Sequence, residues 1–168
     1  MKVLINWLAK TNIFLYSVSL WALTLAIKAL VHVIKYIFQI PDIQFRERLT
    51  DINTGVTIDL LIDTLLIAPV LETIIFQTLF FLAFIRFRIN IWVIVLSSGI
   101  IFGLIHNYSV FYIIDATLIG FTFMYLYILR AEINNKPFIS TVAAHLTMNL
   151  SATIAFLIAH YCKTTIAL

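Results

Sequence analysis

An all-α membrane bundle of about five transmembrane helices is the fold class this sequence predicts, and three observations predict it. Of its 168 residues, 62% are apolar and 11% charged, with a mean hydropathy of +1.05. A soluble domain sits near ~45–50% apolar and ~25% charged. The apolar residues gather into long runs parted by short polar connections, and the basic residues collect at alternate connections. We take residues 1–168 as a single integral membrane domain. A lipid bilayer is the partner this composition requires, and nothing in it suggests a nucleic-acid partner, the net charge being only +3. One cysteine, Cys162, excludes an intrachain disulfide and a four-thiolate metal site.

The chain opens with Lys2 and Lys10 and then its first apolar run, 12–27. No small-residue cleavage site follows a short core, so this run reads as a retained anchor and not a signal peptide. Lys28, His32 and Lys35 share one helical face, and the simplest reading is a helix continuing along the interface with that face towards headgroups. Residues 40–55 form the one clearly polar connection, with Pro41, Asp42, Arg46, Glu47, Arg48 and Asp51, and Gly55 as a breaker.

Residues 56–84 make the second run, about 43 Å as a straight helix at ~1.5 Å per residue. That exceeds a hydrocarbon core of ~30 Å, so the segment must tilt, protrude or bend. Pro69 offers the bend by removing a donor and crowding the preceding turn. Asp59 and Asp63 lie near its start as solvated interfacial charges. Arg86 and Arg88 close a short basic loop. The third run, 89–106, carries Ser97, Ser98, Gly99 and Gly103, small residues that let helices approach closely. After a charge-free turn at 107–109, the fourth run, 110–129, contains Asp115 and Gly120. Arg130 to Lys136 is polar, and Pro137 suits the first turn of the last run, 138–160. No internal repeat is visible.

Glu72 stands in the middle of the second run. A charge at the centre of a bilayer helix costs at least ~2.5 kcal/mol on insertion scales, so it must be paired, protonated or facing water. His106, at the end of the third run, and His145, in the last, are the best groups for it to meet, and Asn149 lies one turn beyond His145. A carboxylate and a histidine beside one water form a general base. A second imidazole and an amide can donate to a developing oxyanion. These are the parts for amide hydrolysis inside a membrane. Glu72, His106 and His145 would also make a zinc set with an open fourth position, but the HExxH spacing of soluble zinc proteases is missing. Each histidine could equally be a packing residue with an interhelical hydrogen bond. Counted by helix length alone, His106 and His145 differ in depth by roughly 13 Å at ~1.5 Å per residue.

Three stretches together resemble the CAAX protease and bacteriocin-processing family of intramembrane proteases, which includes the CAAX prenyl endopeptidases. They are Ala68-Pro69-Val70-Leu71-Glu72, Phe102-Gly103-Leu104-Ile105-His106 and His145-Leu146-Thr147-Met148-Asn149. These stretches span residues 68–151, a family core of about half the chain. The resemblance implies that Glu72 and His106 activate a water, and that His145 and Asn149 stabilise the oxyanion. It implies a glutamate-type hydrolysis, with no cofactor favoured and zinc as the alternative. The family's first motif reads Glu-Glu-x-x-x-Arg, and here Thr73 and Gln77 replace its second Glu and its Arg. The chain is also short beside members with around eight spans. The substrate implied is a membrane-associated peptide, lipidated protein or leader peptide. The departures keep open a non-catalytic immunity or scaffold protein on the same fold. The alternative from the residues alone is a small proton-coupled transporter whose Glu72, Asp115 and histidines form a proton relay. A second copy could supply missing helices as a homo-oligomer.

With five spans, the N-terminus, the Arg86/Arg88 loop and the Arg130/Lys136 loop share one side. The positive-inside rule places that side in the cytoplasm. High Ile, Asn and Lys usage points to an AT-rich bacterial genome, hence a multi-pass protein of a bacterial cell membrane.

Overall fold

The computed structural model describes residues 7, 10–43 and 58–166. Within these, five helices and no strand are found: α1 (Ile13–Ile37), α2 (Ile58–Phe87), α3 (Ile91–Ile105), α4 (Val110–Glu132) and α5 (Pro137–Ile166). α1, α2, α4 and the Pro137–Ile158 part of α5 are long and apolar enough to cross a membrane, whereas α3 is a shorter apolar helix. Lys2, the Arg46–Gly55 part of the polar connection and the expected start of the second run lie outside the described residues.

Local sequence sets the helix starts. Asn12 accepts from Leu15 N–H, Asn90 from Trp92 N–H and Ser109 from Tyr112 N–H, each side chain satisfying a donor that the first helical turn leaves over. Pro137 opens α5, where its missing N–H costs nothing. α1 does not break after residue 27 but runs unbroken past Lys28 and His32 to Ile37.

α4 is the centre of the bundle. Half of its most apolar window is buried, against about a fifth for the other long helices. Tyr16 and Leu20 of α1 pack with Ile119, Phe123 and Leu126 of α4 and Ala144 of α5. Ile94 and Val95 of α3 pack with Met124 and Ile128 of α4. α3 and α4 lie antiparallel, from the Trp92–Tyr125 ring stack, 5.6 Å between centroids, to the contact of Gly103 with Thr117. A Cβ on Gly99 would come within 2.7 Å of the Phe121 backbone N, and one on Gly103 within 2.8 Å of the Ile113 carbonyl. The glycines therefore admit the neighbouring backbone itself, as expected for small residues at a membrane-helix contact.

The two ends of the bundle are fastened differently. At one, fully buried Arg130 donates to the carbonyls of Asn135 (2.9 Å) and Thr11 (3.1 Å). The start of α1 and the 130–136 loop thus share an end with the α2–α3 connection, which the Trp92–Tyr125 stack places there. At the other, Asp42 accepts from Ser109 Oγ (3.2 Å), Phe111 N–H (3.3 Å) and Lys35 Nζ (3.3 Å), and Ile43 accepts from Val110 N–H. That latch ties the segment after α1 to the start of α4.

α2 departs from ideal α geometry twice. Asp63–Ile67 and Thr73–Thr78 are π-helical, with the α segment Ala68–Glu72 between them. Pro69 cannot donate and crowds the turn before it. The widened turn there lets Ala68 N–H bond back to Asp63 instead. The first wide turn is the adjustment at Pro69, and a second follows the segment that ends in Glu72.

Candidate active site

A π turn adds a residue to the helical circuit and re-aims the side chains around it, and such turns are frequent at functional sites. Around Glu72 the effect is a sorting of faces. Val70, Leu71, Ile74 and Ile75 point outward, while Thr73, Phe76 and Gln77 are buried. The second π turn is held from both neighbours: Ser98 of α3 donates to the Phe76 carbonyl, and Thr78 meets the Tyr127 hydroxyl of α4 at 3.0 Å.

Glu72 lies between the two imidazoles. Its Oε2 is 3.3 Å from His145 Nε2 and its Oε1 is 3.9 Å from His106 Nε2. The carboxylate side chain is 21% exposed, that of His106 19% and that of His145 7%, so the group is shielded but can be reached by water. Three helices contribute, and the bundle brings the three groups together. The depth difference expected from helix length is absorbed. The His106 ring folds back along α3 over Phe102, 4.4 Å between centroids, and the two imidazoles reach opposite oxygens of one carboxylate.

A hydrogen bond assigns the proton of His106. His106 Nδ1 lies 2.7 Å from the Phe102 carbonyl, which can only accept, so Nδ1 carries the hydrogen. Neutral His106 then turns a lone pair on Nε2 towards Glu72. At 3.9 Å, two acceptors face each other across the width of one water, which can donate one hydrogen to each at about 2.8 Å. His145 Nε2 lies 3.3 Å from Glu72 Oε2 without hydrogen-bond alignment, and neither that oxygen nor His145 Nδ1 has a hydrogen-bond partner. Its ring is wedged by Phe123 (5.3 Å) and Phe102 (6.1 Å).

Asn149 is half-buried on α5, and its Nδ2 donates to the Thr64 carbonyl at 2.8 Å. One amide hydrogen is thereby committed to the first π turn, and the other remains for a ligand. Thr73 and Gln77 are fully buried, and Thr73 Oγ1 and both polar atoms of the Gln77 amide have no hydrogen-bond partner. Neutral groups can stand so where ions could not. Asp115 is buried on α4. Asp59 and Asp63 are exposed, as the solvated reading requires.

Among the described residues, no group of three His, Cys, Asp or Glu is arranged to hold a metal ion.

A polytopic helical membrane protein with a carboxylate–imidazole centre in its interior is the class that this fold and site define. The family model described as type II CAAX prenyl endopeptidase Rce1-like matches residues 54–151, and the chain belongs to that family. Neither the curated proteins nor the solved structures contain a match to the chain.

Proposed function

We propose that the protein is an intramembrane endopeptidase, hydrolysing a peptide bond of a membrane-associated substrate such as a prenylated protein or a leader peptide. The observation that supports this reading most is one carboxylate placed between two imidazoles, 3.3 and 3.9 Å from their Nε2 atoms. A water donating to Glu72 Oε1 and His106 Nε2 has its oxygen lone pairs turned towards an incoming carbonyl carbon. As the C–O bond forms, Glu72 takes the water's proton and His106 holds it in place. Nε2–H of His145 and the remaining amide hydrogen of Asn149 are the donors for the oxyanion. The proton held by Glu72 then passes to the leaving amine as the C–N bond breaks. Phe102 keeps the His106 ring in register through its carbonyl and its ring face. The N-terminal end lies in the cytoplasm on this reading, following the excess of basic residues there.

The test uses purified protein in nanodiscs with prenylated and unprenylated peptides. Cleavage is expected for the native protein, reduced about 10²–10⁴-fold in Glu72→Gln, as for removal of a general base. His145→Ala is expected to reduce it about 10²–10³-fold, as for loss of an oxyanion donor. Cleavage equal in all three proteins overturns the reading. A second reading, a non-catalytic membrane immunity or scaffold protein, is favoured by one observation: Thr73 and Gln77 stand neutral and buried beside the site. A biological effect that survives both substitutions would support it.

A further inference from the structure

Pro69 and Asn149 stand on different helices, and one carbonyl connects them. In α geometry the Thr64 carbonyl would accept from the N–H of residue 68, and in π geometry from that of residue 69. Neither donor serves it. Ala68 gives its N–H to the Asp63 carbonyl, and Pro69 has no N–H to give. The π turn Asp63–Ile67 thus leaves a carbonyl inside a helix without a backbone donor. In an apolar bundle such a group must be satisfied from a neighbouring helix. Asn149 Nδ2 of α5 does so, donating to it at 2.8 Å.

The bond falls beside the site. Asn149 lies one turn beyond His145 on α5, and Thr64 lies about two turns before Glu72 on α2. His145 Nε2 is 3.3 Å from Glu72 Oε2, so α5 meets α2 at two successive levels, first at the carboxylate and then at the freed carbonyl. We propose that Pro69 is a positioning residue for Asn149. By denying Thr64 a backbone donor, it creates the acceptor that takes one hydrogen of the Asn149 amide. The two N–H bonds of a planar amide are fixed relative to each other, so holding one sets the direction of the second. Pro69 does this without touching substrate, from a position three residues before Glu72. One short segment of α2 thus carries the carboxylate and orients the amide on the facing helix. The consequence for catalysis rests on the endopeptidase reading, whereas the dependence of the Asn149 bond on Pro69 does not.

The experiment separates the two. Protein labelled with ¹⁵N-asparagine is placed in nanodiscs and its side-chain amides are read by NMR, the Asn149→Leu variant identifying the Asn149 signal. In the native protein one of the two Asn149 amide hydrogens is expected to be hydrogen-bonded and slow to exchange. Pro69→Ala restores an N–H at position 69 on a residue that favours helix. Thr64 then regains a backbone donor, and the Asn149 signal is expected to move towards that of an amide without a bond. Two equally fast-exchanging Asn149 hydrogens in the native protein overturn the proposal, and so does a signal unmoved by Pro69→Ala. The native spectrum decides the first point even where a variant fails to fold. A double-mutant cycle on thermal unfolding gives a second readout. Asn149→Leu is expected to lower the melting temperature of the native protein, by leaving the Thr64 carbonyl without its partner, and to lower that of Pro69→Ala less. Equal losses on both backgrounds overturn the proposal. With a cleaved peptide in hand, Pro69→Ala is expected to lower kcat about 10–100-fold with KM unchanged, as misdirecting a catalytic group does. Absence of cleavage in every protein, with spectra and melting as expected, counts against the endopeptidase reading alone.

Discussion

At the scale of single residues, the question is how a carboxylate is kept in an apolar bundle. Among the described residues Glu72 meets no lysine or arginine and lies between two imidazole rings, of which His106 carries its hydrogen on Nδ1. Immediately beside it, Thr73 and Gln77 are fully buried with polar atoms that have no hydrogen-bond partner. Here the chain departs from the family's charged pair, and physical chemistry says what reversal would do. Thr73→Glu alone buries an uncompensated charge and is expected to lower stability by about 3–5 kcal/mol. Adding Gln77→Arg should recover most of that, and a double-mutant cycle on thermal unfolding in detergent measures the coupling. Additive effects would show that positions 73 and 77 do not meet. A second prediction concerns metal. Glutamate-type hydrolysis needs no metal, so on that reading peptide cleavage is expected to persist in chelator, and stoichiometric zinc in active protein would contradict it.

At the scale of elements, the α3–α4 contact is the tightest part of the bundle. Gly99→Ala or Gly103→Ala would drive a methyl into the Phe121 ring or the Thr117 hydroxyl, with backbone atoms of α4 close behind. Each is expected to lower stability by about 1–3 kcal/mol, as overpacking does, and to lower activity with it because α3 carries His106. Thermal unfolding in detergent checks the first and peptide cleavage the second. The latch at Asp42 is a titratable fastening. Burial alone would raise its carboxyl, but the Ser109 hydroxyl, the Phe111 N–H and the Lys35 ammonium outweigh it and hold the group below its ordinary value. A depressed acid stabilises the fold in full above its unfolded value, near 3.8, and the contribution disappears as pH falls through the lower folded value. The stability difference between native protein and Asp42→Asn should therefore be constant from neutral pH down to about 4 and vanish below it. Melting curves across that range read it directly.

At the scale of the whole molecule, the sequence was legible wherever a short-range pattern had one physical outcome. Hydropathy runs named the helices, Pro137 marked a start, and the serine and glycine cluster of the third run marked a close contact. Glu72, His106 and His145 could be singled out because ionisable groups in apolar runs have few places to go. What could not be read was long-range. Nothing in the residues around Pro69 says that π turns will flank the segment Ala68–Glu72, and the spacing of α5 does not reveal that Asn149 donates an amide hydrogen to the Thr64 carbonyl. The alternating helix directions yield a further prediction. On a Cys162→Ser background, cysteines placed at Arg88 and Asn134 should react with a membrane-impermeant maleimide from one face of oriented vesicles. A cysteine at Asn107 should react from the opposite face, and labelling of all three from one face would contradict the alternation.

α3 has only 15 residues, about 22 Å of helix at ~1.5 Å per residue, where the surrounding hydrocarbon is ~30 Å deep. Lipids beside a helix that short must compress or the bilayer must dimple to meet it. The turn after α3 follows His106 directly, so thinning of the bilayer at that end would bring water and headgroups towards Glu72. An extended peptide could reach Glu72 from the aqueous boundary without first dissolving its backbone in hydrocarbon. Thicker bilayers, which resist that deformation, should slow the protein before they unfold it.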